Sequence, residues 1–74
     1  MKLTLVGRPG CHLCEEFEHA LRAAYPQVEI EHGDVDSRAD WLRRYGMKIP
    51  VLLAPDGLVL CETFFDPAAL AAIR

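Results

Sequence analysis

Gly7-Arg8-Pro9-Gly10-Cys11-His12-Leu13-Cys14 is the stretch whose reading decides the fold. Its two thiols stand three residues apart, directly after a turn of Gly, Arg, Pro and Gly. The apolar run Leu3-Thr4-Leu5-Val6 precedes the turn, and an amphipathic pattern of helical period follows it. The motif therefore sits at a strand-to-helix junction. There the first sulfur lies at the helix N-terminus, where unpaired backbone N–H groups and the helix dipole favour a thiolate over a thiol. The second sulfur lies one turn later on the same side and can close a disulfide onto the first. Spacing alone leaves a redox dithiol, part of a zinc site and a structural bridge all open.

Upstream of the motif, residues 2–6 read as a first strand, apolar nearly throughout and so central in its sheet. Downstream, residues 12–24 read as a helix. Leu13, Phe17, Leu21 and Ala24 recur at helical spacing, with Glu15, Glu16, Glu18, His19 and Arg22 on the other face. Tyr25-Pro26 ends it, because the residue before a proline is pushed out of the helical region. Val28 and Ile30 alternate with Glu29 and Glu31, a half-exposed second strand, and Asp34-Val35-Asp36 leads out of it. Ser37, with Asp40 three residues on, resembles a helix-start box. The short helix it would open carries Trp41, Leu42 and Tyr45, and Gly46 is its natural stop. Ile49-Pro50-Val51-Leu52-Leu53 reads as a third strand. Pro55-Asp56-Gly57 is a turn, and Leu58-Val59-Leu60-Cys61 returns as a fourth strand paired with the third. Asp66-Pro67 places a capping Asp before a helix-starting Pro. A last short helix is expected over 68–73, with Leu70 and Ile73 facing inward. The order is βαβ, then a helix, then ββα, so helices can cover both faces of a four-stranded mixed sheet.

Seventy-four residues make a single domain over 1–74. A chain this short buries roughly 60% of its unfolded surface, so the core is small. Apolar content of 51% suffices for that core and argues against disorder. The net charge is −3, and the basic residues form no cluster beyond Arg43-Arg44, so no nucleic-acid partner is expected. No apolar run approaches the ~20 residues of a membrane span, and the N-terminus does not read as a secretory signal. Three cysteines, an odd number, do not suit a secreted disulfide scaffold. The expected compartment is the cytoplasm, where a dithiol is catalytic or metal-bound. A zinc site needs two more ligands. Cys61 and one of His12, His19 or His32 would have to converge, with no second C-x-x-C and no H-x-x-x-H to supply them. The redox reading is favoured.

With Tyr45-Gly46-Met47-Lys48-Ile49-Pro50-Val51-Leu52 as a second motif, the chain resembles the thioredoxin fold in its smallest, glutaredoxin-like form. The resemblance covers essentially the whole chain. It is strongest to the bacterial glutaredoxin-like group with Cys-His-Leu-Cys, rather than to glutaredoxins with Cys-Pro-Tyr-Cys. It implies a thiol–disulfide oxidoreductase in which Cys11 is the nucleophile and Cys14 the resolving thiol. It also implies that Pro50 follows a cis peptide bond, and that the backbone of Ile49 pairs with an extended substrate like an added strand. Arg8 stands where many glutaredoxins carry a Lys that meets a glutathione carboxylate. Two departures are visible. Leu13 replaces the Tyr of the other motif. The Gly-Gly and Asp pair that grips the amino-acid end of glutathione is absent as such, the segment here being Glu62-Thr63-Phe64-Phe65-Asp66.

Other residues carry narrower expectations. Arg8 can support the thiolate or stand as a solvated turn residue, and Lys48 is similar. A cationic His12 between the thiols can make the disulfide more oxidising, whereas His19 and His32 read as surface residues. Trp41 and Tyr45 pack on the sheet. Of Phe64 and Phe65, one suits the core and the other a groove near Cys11. Cys61 reads as a small buried residue of the fourth strand, and Asp66 as a helix cap or a ligand contact. No metal or organic cofactor is required, and glutathione enters only as a co-substrate. It is expected to bind weakly near Cys11, Ile49 and Asp66, aided by free N–H groups at the helix after Pro67. The expected partners are a disulfide-containing protein or small molecule and a reductant, glutathione or a dithiol protein, with the chain itself a monomer. The rival reading is a non-catalytic thioredoxin-fold binding module, which would have no reason to place two thiols one turn apart at a helix start.

Overall fold

A computed structural model describes residues 2–71. Strand β1 (Lys2–Gly7) leads through the Arg8–Gly10 turn into helix α1 (His12–Ala24), which returns to strand β2 (Glu29–Asp34). A 3-10 turn (Val35–Ser37) and helix α2 (Ala39–Tyr45) follow. Strands β3 (Val51–Leu53) and β4 (Val59–Glu62) come next, then a second 3-10 turn (Pro67–Leu70). The sheet order is β2-β1-β3-β4. β1 runs parallel to β2 and antiparallel to β3, and β3 antiparallel to β4. The parallel pair needs a crossover, and α1 is that crossover.

The two-residue period of the central strands divides the core in two. Leu3 and Leu5 of β1 and Leu52 of β3 face one side. There they meet Phe17 and Leu21 of α1, with Cys61 and Leu70. Val6, Val51 and Leu53 face the other side and pack with Val35 and Tyr45, flanked by Trp41 and Ile49. Trp41 packs against Gly33, where a Cβ would come within 2.7 Å of its ring, and Arg38 stacks over it at 4.6 Å.

Several expected boundaries move. β2 runs on to Asp34, past the alternating residues, because parallel pairing of His32, Gly33 and Asp34 with Leu5, Val6 and Gly7 carries it. The helix-start box at Ser37 does not form. The Ser37 hydroxyl donates to Asp34 O at 2.6 Å, Arg38 is the N-cap residue, and Asp40 is taken by the Arg38 guanidinium. Ile49 and Pro50 precede β3 rather than lying in it, since the ladder with β1 runs from Val51 to Leu53. Asp66 does cap, accepting from Ala68 N–H at 3.0 Å, but what it opens among the described residues is one 3-10 turn. Leu70 is buried as expected, and Ile73 lies outside the described residues.

Candidate active site

β1 delivers the chain to the site at Gly7. A left-handed Gly10 (φ 79°) then turns it, and Cys11 N–H closes the turn on Arg8 O at 3.2 Å. Cys11 is the N-cap of α1, extended in backbone, and its sulfur accepts from Cys14 N–H at 3.1 Å. The side chain thus serves one of the orphan donors of the helix start, as a capping oxygen would. Cys11 and Cys14 are joined as a disulfide, their Cα atoms 5.2 Å apart. Both are half-buried, while His12 and Leu13 between them are exposed. Gly7 is the seat of this bridge: a Cβ there would stand 2.9 Å from Cys14 Sγ. Sequence reasoning took Gly7 for turn geometry alone. Its position at the end of the apolar run, just before the motif, was the available signal.

The second motif arrives through β3. Val6 pairs with Val51, so one further step of the antiparallel register sets Pro50 opposite Gly7, and hence beside the disulfide. The Ile49–Pro50 peptide bond is cis. Pro50 is fully buried, and its carbonyl accepts Thr63 N–H at 2.7 Å. Thr63 also donates its hydroxyl to Lys48 O at 3.1 Å, which ties the end of β4 to the Pro50 loop. Thr63 was not singled out from sequence, and no local pattern marks it.

Several charges near the bridge are already matched. Arg8 forks onto Asp36, Nε to Oδ2 at 2.8 Å and Nη2 to Oδ1 at 3.0 Å. That hydrogen bond raises the Arg8 pKa and lowers that of Asp36, each being the chief cause of the other's shift. Arg8 therefore faces a carboxylate of its own chain, 28 residues away, a pairing no local pattern announces. Lys48 approaches Glu62 at 3.7 Å. Glu18, one turn beyond Cys14, accepts from His32 at 2.7 Å and from Arg22 at 2.9 Å. The His32 bond is the leading cause that holds its carboxyl below the usual range. His32, read as a surface residue, is exposed but paired.

A cavity of about 350 Å³ lies between α1 and the ends of β1 and β2, lined among others by Gly7, Arg8, Cys11, Cys14, Glu18 and His32. A groove of about 300 Å³ runs between α1 and the segment after β4, from Leu13 and Phe17 to Phe64 and Pro67. Asp66 stands at the end of this segment. Its carboxylate engages Ala68 N–H, and Ala69 N–H is taken by Asp66 O. The N–H groups of Ala68 and Ala69, expected to be free at this helix start, are thus both taken within the chain. Cys61 is buried, with its thiol directed at Asp66 O at 3.8 Å, and burial pushes its pKa up. Among the described residues, no group of three His, Cys, Asp or Glu side chains converges as a metal site requires. Among them, too, no helix is long and apolar enough to cross a membrane.

A four-stranded mixed sheet with a cysteine pair at the first helix start and a cis-proline ahead of the third strand defines a small thioredoxin-like protein. The chain belongs to the family described as Glutaredoxin-like domain (DUF836), whose model matches residues 2–73. Among solved structures it resembles protein Ne2328 from Nitrosomonas europaea, determined by solution NMR. The two are 33% identical over 96% of this chain and 87% of that one, with a TM-score of 0.79. It also resembles protein XcR50 from X. campestris. The X-ray structure of that protein gives 31% identity, coverage of 95% and 91%, and a TM-score of 0.72. Its solution structure gives 35%, 97% and 90%, and 0.75. No curated protein matches.

Proposed function

We propose that the chain is a glutaredoxin-like thiol–disulfide oxidoreductase working through Cys11 and Cys14. The observation that carries this reading is the closed Cys11–Cys14 bridge at the start of α1, with Cys14 N–H on Cys11 Sγ. In the reduced protein the same N–H would donate to a thiolate at Cys11, and hydrogen bonding to the charged form favours it.

The reaction runs in two displacements. The Cys11 thiolate attacks one sulfur of a substrate disulfide. That S–S bond breaks, a mixed disulfide forms at Cys11, and the other substrate sulfur leaves as a thiolate. Cys14 then loses its proton and attacks Cys11 Sγ. The mixed disulfide breaks, the second substrate thiolate leaves, and the Cys11–Cys14 bridge closes. Two electrons have passed from the protein to the substrate, and glutathione or a dithiol protein returns them. Ile49, next to the buried Pro50, would offer its backbone to an extended substrate. His12, exposed between the sulfurs, is placed to favour the thiolate when cationic. Arg8 contributes through the turn it holds with Asp36.

Turnover of 2-hydroxyethyl disulfide, coupled to a dithiol reductant, tests the reading. Wild type is expected to turn over and Cys11→Ser to lose turnover entirely. Equal rates in the two proteins would remove the redox assignment and leave a binding module.

A further inference from the structure

Gly7 ends β1 at the disulfide, buried and paired with Asp34 of β2. Its backbone is not left-handed, as those of Gly10 and Gly57 are, so no turn requires a glycine there. Glycine weakens a strand and marks a place where another group comes close. At Gly7 that group is Cys14. A Cβ on Gly7 would stand 2.9 Å from Cys14 Sγ and 3.3 Å from Cys14 Cβ. Non-bonded heavy atoms settle at about 3.5–4.0 Å, so the sulfur is the atom that would have to yield most. Among the described residues, and chain neighbours aside, no other heavy atom lies within 4 Å of that Cβ, so the nucleophile Cys11 is clear of it.

The same methyl group would meet the two redox states differently. In the bridge, Cys14 Sγ is bonded to Cys11 Sγ and is held in place. In the dithiol it is the free tip of a side chain, able to turn about Cα–Cβ to another staggered position. Cys14 borders the cavity of about 350 Å³ beside α1, which gives the released sulfur room. A side chain at residue 7 therefore opposes closure of the bridge and is tolerated once the bridge opens.

Resting on the exchange reading above, we infer that Gly7 is a positioning residue for the resolving step. Its bare Cα leaves the space in which Cys14 Sγ reaches Cys11 Sγ. In that step Cys14 gives its proton to solvent and its sulfur bonds to Cys11 Sγ. The bond from Cys11 to the substrate sulfur breaks, and that sulfur leaves with the electron pair. With a side chain at residue 7 the step stalls, and the mixed disulfide at Cys11 persists. Gly7 thereby makes the exchange a two-thiol reaction rather than one that rests at the mixed disulfide.

The test equilibrates wild type, Gly7→Ala and Gly57→Ala in buffers of reduced and oxidised glutathione, quenches them in acid, and counts dithiol, Cys11 adduct and bridge by mass. In Gly7→Ala the ratio of bridge to dithiol is expected to fall about tenfold, the scale of an overpacked contact, which is about 30 mV for this two-electron couple. The ratio of bridge to adduct is expected to fall with it. Gly57→Ala strains the left-handed turn between β3 and β4, at the other end of the sheet, and is expected to change neither ratio. Urea unfolding separates positioning from general damage. Gly7→Ala is expected to weaken the oxidised protein more than the reduced one, whereas a loss of packing alone lowers both alike. Unchanged ratios, or equal losses of stability in the two forms, overturn the role of Gly7 while the exchange reading stands. Failure of reduced Gly7→Ala to fold overturns it as well, since the dithiol is the form that has room for the methyl group. No turnover of 2-hydroxyethyl disulfide by wild type overturns the exchange reading, and the resolving role with it.

Discussion

Cys11 draws its expected reactivity from a backbone donor more than from a charged neighbour. Its sulfur accepts Cys14 N–H at the start of α1, while the guanidinium of Arg8, three residues before it, is forked onto Asp36. Cys61 is its opposite, a thiol 6% exposed whose pKa burial raises. Iodoacetamide applied to the reduced protein at neutral pH is therefore expected to modify Cys11 first and Cys61 last, by mass mapping of early time points. Early labelling of Cys61 or Cys14 would assign the nucleophile wrongly. At this scale the sequence was most legible where the chemistry is local. Cys11, Cys14 and the Asp66 cap depend on residues within a turn of one another. Asp36 as the partner of Arg8, and Thr63 as the strut of the Pro50 loop, depend on contacts across the fold, which no local spacing encodes.

The elements owe their boundaries to partners as much as to their own pattern. α1 is readable to both ends because its capping residue, its apolar stripe and the proline after it are all local in the sequence. β2 was read too short, since its last residues are polar and held by the ladder to β1. The Ser37 box failed because Ser37 found a nearer carbonyl in the turn after β2. That turn also carries Asp36, which joins it to the turn before α1. Hydrogen bonding from Arg8 keeps the Asp36 carboxyl below its ordinary value of 3.8. A depressed carboxyl contributes above its unfolded pKa and loses that contribution as pH falls through its folded pKa. The pair is thus complete at neutral pH and opens only in acid, below 3.8. Asp36→Asn is expected to release Arg8 at neutral pH with little change in stability, both groups being exposed. Titration with oxidised glutathione, followed by NMR, should then show tighter binding than wild type with new shifts at Arg8. Unchanged affinity would mean that Asp36 does not withhold Arg8 from anionic ligands.

The whole molecule hangs on the two central strands. β1 and β3 send alternate side chains into cores on opposite faces, and the same strands carry Gly7 and Pro50 to one end of the sheet. Stability and site geometry therefore share residues. A chain of this length is expected to hold about 4–11 kcal/mol in total. Leu52 is fully buried between α1 and the sheet, and Leu52→Ala is expected to cost about 2–5 kcal/mol. Urea unfolding of the two proteins measures this, and a difference under about 1 kcal/mol would contradict a core centred on β3. Strand order beyond the central β1 and the β3–β4 hairpin was not readable, because it is settled by the pairing of both faces at once. On the proposed function, all three scales serve one arrangement, with Cys11 forward as nucleophile and Cys14 behind it as resolving thiol. Its most direct test mixes reduced Cys14→Ser with one equivalent of 2-hydroxyethyl disulfide and maps the adduct by mass. The account predicts a mixed disulfide on Cys11 that accumulates and persists, where wild type passes on to the closed bridge. An adduct on Cys61, or no adduct in a folded protein, would contradict it.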